Sequence, residues 1–132
     1  LKVTDLPEDD SLMDVLVLSP GDEVVIATKK GMAIRFKEED VRPMGRTAYG
    51  VRAIRLHPKD EVVSVDLVNE GCCLFTVTEK GFGKRVSCAA YRVQMRGGSG
   101  IINVQCGSKN GQVVGLKRVE QHEIIISEPC RR

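Results

Sequence analysis

Residues 28–36 read Thr-Lys-Lys-Gly-Met-Ala-Ile-Arg-Phe, and residues 78–86 read Thr-Glu-Lys-Gly-Phe-Gly-Lys-Arg-Val. At this offset of fifty positions, seven identities fall between residues 28 and 54. An unrelated sequence would match at about one or two positions, so we infer an internal repeat. The identical pairs are Thr28/Thr78, Lys30/Lys80, Gly31/Gly81, Arg35/Arg85, Arg42/Arg92, Arg46/Arg96 and Gly50/Gly100.

Each copy of the repeat reads as short strands separated by turns. Apolar and β-branched runs with period-two alternation predict four strands in each copy. Four short strands in about 50 residues are typical of propeller blades. We therefore predict an all-β, propeller-like fold with about two and a half four-stranded blades. The predicted strands are residues 24–28, 32–36, 51–56 and 62–68, then 74–78, 83–87, 101–105 and 113–119.

The repeat divides the chain into four predicted segments. Residues 1–23 form an acidic segment that ends a preceding blade, with an extra strand over residues 12–18. Residues 24–70 and 71–121 form one blade each, and residues 122–132 begin a truncated further blade. Since a propeller needs at least four blades to close, we expect a fragment of a larger domain. Its open sheet edges favour pairing with another copy of the chain.

Composition excludes a membrane protein. Hydrophobic residues make up 42% and charged residues 29% of the 132 residues, the balance of a globular domain. No apolar run approaches the roughly 20 residues of a spanning helix, and no signal peptide opens the chain. Aromatic residues are only 4%, so the core must be aliphatic.

Charge is distributed unevenly, although the net charge is only +2. Residues 1–28 contain seven acidic residues against one lysine, whereas residues 80–119 contain eight basic residues and no acidic one. Charges of one sign repel each other unless an anion compensates them. The sequence therefore favours a polyanionic partner, most commonly nucleic acid, with a solvated basic face as the alternative.

Arginines recur at the repeat interval, in the pairs Arg35/Arg85, Arg42/Arg92 and Arg46/Arg96. Positive charge at regular intervals suits the phosphates of a DNA backbone. The alternative is that Arg35 and Arg85 pair with carboxylates such as Asp40. The second copy lacks those acids, because Cys88, Ala89 and Ala90 replace them, so anion binding is the favoured interpretation.

Residues 94–100 form a glycine-rich segment, Gln-Met-Arg-Gly-Gly-Ser-Gly. Glycines let backbone amides approach a phosphate, and Arg96 adds a positively charged guanidinium that can donate two hydrogen bonds to it. Tight turns use the same residues, so the segment alone is weak support. Nearby Tyr91 is expected to pack at a strand end rather than to contact a ligand.

Neither a catalytic site nor a metal site is predicted. The sequence shows no carboxylate pair, Cys–His pair or P-loop. No cysteines are spaced as Cys-x-x-Cys, and His57 and His122 are the only histidines, so the sequence predicts no zinc site. We expect the cysteines to be buried free thiols in a reducing cytoplasm. The cysteines are Cys72, Cys73, Cys88, Cys106 and Cys130.

Several ordered motifs resemble the C-terminal domain of the A subunit of DNA gyrase. The first copy contributes Lys-Gly-Met-Ala-Ile-Arg-Phe at 30–36, Asp-Val-Arg-Pro-Met-Gly-Arg at 40–46 and Gly-Val-Arg-Ala-Ile at 50–54. The second copy continues with Lys-Gly-Phe-Gly-Lys-Arg at 80–85, Tyr-Arg at 91–92 and Asn-Gly-Gln-Val-Val-Gly at 110–115. The resemblance covers residues 24–127, whereas residues 1–23 match less clearly and residues 128–132 depart from the family.

The resemblance implies a non-catalytic part of a β-pinwheel whose basic rim wraps double-stranded DNA without sequence preference. Wrapping would let the holoenzyme introduce negative supercoils. The partners would be the core of the gyrase A subunit together with the B subunit, in the cytoplasm, with ATP and magnesium used elsewhere in the holoenzyme. The alternatives are the corresponding domain of topoisomerase IV and a basic propeller that binds proteins.

The family's wrapping heptapeptide reads Gln-Arg-Arg-Gly-Gly-Lys/Arg-Gly. Residues 94–100 match five of its seven positions, with Met95 and Ser99 in place of basic residues, so we interpret them as a degenerate copy. The predicted DNA-binding residues are Arg35, Arg42, Arg46, Arg52, Lys84, Arg85, Arg92, Arg96, Gly97, Gly98 and Gly100.

Overall fold

The computed structural model describes residues 10–41 and 50–120. Apart from two 3-10 turns, the regular structure in these ranges consists of strands, which confirms the all-β prediction. The turns are Glu38–Asp40 and Cys88–Ala90, and each comes directly after a strand. The strands are β1 (Glu23–Thr28), β2 (Met32–Lys37), β3 (Val62–Val68), β4 (Cys73–Thr78), β5 (Gly83–Ser87), β6 (Ile101–Ile102) and β7 (Val113–Val119).

The two copies of the sequence repeat form hairpins whose strands pair in the same register. In the antiparallel hairpin β1–β2, Ile26 pairs with Ile34, and fifty residues later in β4–β5 Thr76 pairs with Lys84. A further antiparallel strand covers the other side of each hairpin, β3 on β1 and β7 on β4. Both of these pairings shift register at the equivalent point, after Ala27 and after Val77.

Strand β6 joins the two copies. It lies in the second copy of the sequence but pairs with β2 of the first, Met32 opposite Ile102 and Ala33 opposite Ile101. The sheets are therefore β3–β1–β2–β6, with four strands, and β5–β4–β7, with three. The proposed division into blades 24–70 and 71–121 stays a prediction.

Two predicted strands are wrong. Residues 12–18 and 51–56 have no strand structure, and only two residues of the predicted strand 101–105 are in β6. A strand forms only against a partner edge. The side chains of Leu12, Val15 and Val17 are exposed, so this apolar run does not pack as a strand would. The segments 1–9 and 122–132 lie outside the described residues.

The core is aliphatic, as the composition predicts, and β1 contributes both of its faces to it. Val25 and Ala27 join one buried cluster, which also includes Leu74 and Leu116 from the second copy. Val24 and Ile26 join another cluster, with Ile34, Phe36 and Ile54. Because the first cluster combines residues from both copies, burial of apolar surface holds the two repeats together.

Cys72 and Cys88 form a disulfide bond, with an S–S distance of 2.02 Å. The prediction that the cysteines are free thiols is wrong for this pair. The β4–β5 hairpin brings their Cα atoms within 5.7 Å, which their separation of 16 residues does not reveal. Cys73 and Cys106 are free and half-buried. Cys130 lies outside the described residues.

Candidate nucleic-acid interface

Arg35 connects the two copies of the repeat. On β2, its guanidinium donates to a Glu23 carboxylate oxygen at 2.6 Å. It also donates to the carbonyl oxygens of Cys88 at 2.7 Å and Tyr91 at 3.0 Å, in the turn that follows β5. Its side chain is only 15% exposed. These contacts give Arg35 a structural role, with Glu23 rather than Asp40 as the carboxylate.

Arg96 is held against the first copy of the repeat. Its backbone amide donates to the Asp40 carboxylate at 2.7 Å, and its Nε donates to the Asp40 carbonyl oxygen at 2.9 Å. Nη1 reaches the carbonyl oxygen of Arg52 at 3.0 Å. The residue is half-buried. Asp40 therefore positions Arg96, a role that sequence reasoning did not assign to it.

The glycines of segment 94–100 make contacts within the chain. The Gly97 amide donates to the Ala53 carbonyl at 2.6 Å, and the Gly98 carbonyl accepts from the Arg55 amide at 2.8 Å. Gly100 has a φ of +79° and lies directly against Ala33, where a Cβ would overlap the backbone carbonyl. In the structure this segment fastens one repeat to the other.

Arg55, which the sequence analysis did not select, also binds this segment. Its Nε and Nη2 atoms lie 3.3 and 3.1 Å from Ser99 Oγ. The position is exposed. The sequence signal for it is its place three residues after Arg52.

The four other predicted basic residues that the structure describes are exposed. Arg52, Arg85 and Arg92 make no side-chain hydrogen bond or ion pair within the described residues. Lys84 donates from Nζ to the Asn103 carbonyl at 2.6 Å. A carbonyl oxygen carries no net charge, so this contact orients Lys84 without neutralising it. Arg42 and Arg46 lie outside the described residues.

Compensating acids are scarce around the basic run 80–119. Six of its eight basic residues are exposed, all except Arg96 and Arg118. Of these eight side chains, only that of Lys117 lies within 4.0 Å of a carboxylate in the described ranges, at 3.9 Å from Asp66. The run therefore presents positive charge that is largely uncompensated to solvent, where a polyanion can reach it.

Tyr91 packs in the core, as expected, and belongs to a buried polar chain. Its hydroxyl donates to Asn103 Oδ1 at 2.6 Å, and Asn103 Nδ2 donates to Thr76 Oγ1 at 3.0 Å. Burial raises the pKa of the Tyr91 hydroxyl, and Thr76 partly offsets the effect. The buried phenol satisfies its polar atom inside the protein and does not act as a surface ligand.

In the described ranges, no group of three or more potential metal ligands comes together. The same ranges contain no helix that is long and apolar enough to cross a membrane.

A family model described as the DNA gyrase C-terminal domain, beta-propeller, matches residues 22–69 and 74–120. The chain belongs to this family. The two matched stretches correspond to the two copies of the repeat, and the predicted resemblance and propeller-like fold are confirmed.

Two similar relatives are both A subunits of DNA gyrase. The chain is 45% identical over 124 residues to the gyrase A protein of Lawsonia intracellularis, covering 92% of this chain. It is 53% identical over 97 residues to the gyrase A protein of Thermotoga maritima, covering 72% of this chain. The chain spans only 15% and 12% of the lengths of these two relatives.

Two solved structures have the same fold. The structure of a DNA gyrase A C-terminal domain matches with a TM-score of 0.82 and 30% identity, covering 90% of this chain and 41% of that one. The C-terminal domain of DNA topoisomerase IV matches with a TM-score of 0.83 over 89% of this chain and 37% of that one. Its identity of 23% supports a common fold alone.

Proposed function

We propose that this chain is a DNA-binding part of a gyrase A protein, where it binds the sugar–phosphate backbone without reading bases. The observation that carries the proposal is the acid-free run 80–119, whose basic residues are mostly exposed and have almost no carboxylate neighbours among the residues that the structure describes. Such a surface gains affinity by releasing the counterions condensed on DNA, which requires no particular base sequence.

Four side chains are the leading candidates for phosphate contact: Arg52, Lys84, Arg85 and Arg92. All four are exposed, and none of them pairs with a carboxylate within the described residues. Arg42 and Arg46 remain candidates by their repeat positions. Arg35 and Arg96 support the site indirectly, because their guanidinium groups join the two repeats.

The glycine-rich segment has a similar supporting role in the proposal. Gly97, Gly98 and Gly100 shape the backbone on which Arg96 is fixed, and the Gly97 amide is already bonded to a carbonyl. A phosphate near this segment would therefore meet the side chains around it, Arg52 above all, rather than the Gly97 amide.

In the holoenzyme, DNA held on this surface would contribute to wrapping and so to negative supercoiling. The partners in this assignment are the core of the gyrase A protein together with the B subunit, in the cytoplasm, with ATP and magnesium used elsewhere. Gyrase is favoured over topoisomerase IV because the relatives with 45% and 53% identity are gyrase subunits. Edge-paired association of copies also remains a proposal.

The test compares two double variants by fluorescence anisotropy with a duplex of about 40 base pairs. Arg52→Ala/Arg92→Ala removes two uncompensated cations. The control, Lys29→Ala/Lys37→Ala, removes two cations that lie within 4 Å of Glu61 and Glu39. Both variants lose the same net charge.

We expect the first variant to weaken binding on every sequence and to reduce the log–log salt slope by about 1.8, since each phosphate contact contributes about 0.9. The control should change the slope by less than about 0.5 on the same scale. Equal effects in the two variants would contradict the assignment to particular residues. Absence of DNA binding by the wild type would favour a protein partner for the basic surface.

A further inference from the structure

The disulfide lies at the junction between the two repeats. Cys88 begins the turn after β5, and its carbonyl oxygen accepts a hydrogen bond from Arg35 of the first repeat at 2.7 Å. Tyr91, which follows this turn, provides Arg35 with a second carbonyl oxygen at 3.0 Å. Both cysteines are buried in the core cluster that combines residues of the two repeats. The turn is therefore held from two sides, by Arg35 and by the covalent bond to Cys72.

The first repeat makes the same turn without a disulfide. Asp22 and Glu38 stand at the positions of the two cysteines. The Glu38 amide donates to the Asp22 carbonyl oxygen at 2.9 Å, just as the Cys88 amide donates to the Cys72 carbonyl oxygen at 3.0 Å. Where the second repeat has a covalent bond, the Glu38 carboxylate accepts a hydrogen bond from the Gly21 amide at 3.0 Å. This hairpin end therefore forms without a disulfide, and the bond adds a tie that the element does not need in order to fold.

A cleft gives a thiol a route to the disulfide. It has a volume of about 460 Å³, and Cys88 is among the residues that line it. Its walls come from both repeats and include Asp22 of the first and Ala89 of the second. Ala89 is exposed, whereas only 3% of the surface of Cys88 is exposed. Attack on the buried sulfur therefore requires a brief local opening of the turn on the wall of this cleft.

Thiol–disulfide exchange makes and breaks such a bond. A thiolate of a dithiol reductant attacks Cys88 Sγ, so a mixed disulfide forms and Cys72 leaves as a thiolate. The second thiol of the reductant then attacks the mixed disulfide and releases Cys88, and the reductant itself becomes a disulfide. Two electrons pass from the reductant to the protein, and the two protons of its thiols end on the two cysteines. An oxidising disulfide runs the same steps in reverse.

The turn leads directly into a segment that the proposed function uses. Arg92, an exposed candidate for phosphate contact, follows Tyr91 in the chain. Two residues later, the Gln94 amide donates to the Arg35 carbonyl oxygen at 2.7 Å. Residues 88–94 therefore lie against the first repeat at both of their ends. Breaking the disulfide removes the covalent anchor at the beginning of this segment, which then opens at a lower free-energy cost.

We propose that the Cys72–Cys88 pair is a redox switch for the segment that carries Arg92. In the oxidised form the segment is ordered against the first repeat, and in the reduced form it opens more often. The effect on DNA rests on the proposed function: an ordered Arg92 binds phosphate at a smaller entropic cost, so reduction weakens DNA binding. In the reducing compartment that the proposed function implies, a protein disulfide is usually transient and redox-sensing.

Amide hydrogen exchange of the chain, with and without dithiothreitol, tests the switch. The Tyr91 amide donates to the Cys88 carbonyl oxygen at 3.1 Å. Its counterpart in the first repeat, the Val41 amide, donates to the Glu38 carbonyl oxygen at 2.9 Å and serves as the control. We expect reduction to accelerate exchange by at least about tenfold at Tyr91 and Gln94, and by less than about twofold at Val41.

Two checks accompany the exchange measurement. Alkylation followed by mass spectrometry should count two additional thiols after reduction, and circular dichroism should show that the reduced chain is folded. Unchanged exchange at Tyr91 in a chain that has gained these thiols would overturn the proposal. Equal acceleration at Tyr91 and Val41 would also overturn it, because reduction would then loosen the whole chain rather than one segment.

Fluorescence anisotropy with a duplex of about 40 base pairs tests the effect on DNA. Reduction should raise the Kd of the wild type by about threefold, in the range for ordering one long side chain. Cys72→Ser/Cys88→Ser should bind like the reduced wild type and should not respond to dithiothreitol. The control Cys73→Ser/Cys106→Ser removes two free thiols and should keep the full response.

The outcomes separate the switch from the proposed function. Equal affinities of the oxidised and reduced wild type would overturn the effect on DNA binding. A response that persists in Cys72→Ser/Cys88→Ser would show that other thiols carry it, which also contradicts the proposal. If the wild type binds no DNA in either state, the proposed function fails, whereas the exchange at Tyr91 still decides whether the switch exists.

Discussion

Replacing Arg35 with alanine tests whether this side chain stabilises the junction between the repeats. Its guanidinium has three acceptors at 2.6 to 3.0 Å and its side chain is 15% exposed. Removing one partner of a buried ion pair costs about 3–5 kcal/mol. Because this pair is partly exposed and water can replace some of the contacts, we expect a loss of about 2–3 kcal/mol in the free energy of unfolding.

For a domain of this size, that loss corresponds to a decrease in Tm of about 8–12 °C. Thermal unfolding followed by circular dichroism at low micromolar concentration measures it. The repeat supplies a matched control, since Arg85 occupies the same strand position but has no acceptor within the described residues. Arg85→Ala should change the stability by less than about 0.5 kcal/mol.

Equal Tm values for Arg35→Ala and the wild type would refute the structural role of Arg35. Equal losses in Arg35→Ala and Arg85→Ala would show instead that arginine at this strand position matters for a reason unrelated to the turn. Arg35→Lys adds a further check, because a lysine ammonium retains the charge but lacks the planar fork that reaches several acceptors. We expect it to recover only part of the lost stability.

Three further predictions concern the interior. Gly100→Ala should destabilise by about 2 kcal/mol more than Gly50→Ala in urea unfolding, since both impose a left-handed strain but only the first overlaps a neighbouring carbonyl. Reducing the Cys72–Cys88 bond should lower stability by about 3 kcal/mol, the value for a loop of this length, and a Tm insensitive to reductant would contradict it. Burial raises the pKa of Tyr91, so its contribution to the free energy of unfolding should be constant below the ordinary pKa of tyrosine, about 10, and should fall as the pH rises above it. Unfolding titrations at several pH values measure this decline, which Tyr91→Phe should flatten.

The sequence predicted the strands whose partners lie within one repeat. Alternation and turn residues located β1 and β2, and the offset of fifty located their counterparts β4 and β5. The pattern cannot reveal which neighbouring hairpin a short strand will join. Residues 101–102 and 51–52 occupy the same repeat position, yet only the first pair has an edge to bind within the described residues. Periodicity measures the tendency to be extended, whereas pairing depends on tertiary position.

The same limit applies to the candidate site. Repetition drew attention to Arg35 and Arg96, but it could not distinguish a guanidinium that binds DNA from one that binds carbonyl oxygens of the protein. That distinction needed the turn of the second repeat beside Arg35 and the carbonyl oxygens of Asp40 and Arg52 beside the Arg96 guanidinium. The disulfide was missed for a related reason, since Cys72 and Cys88 meet only through hairpin register.

The most direct test of the central claim is the affinity of the wild-type chain for duplex DNA as a function of salt, on two duplexes of unrelated sequence. Phosphate binding by the exposed basic residues predicts a linear log–log decline with a slope of about −3 to −4, as expected when some four phosphates are neutralised. It also predicts equal affinities for the two duplexes within about twofold. A slope near zero, or a strong preference for one sequence, would contradict phosphate binding by the exposed basic residues.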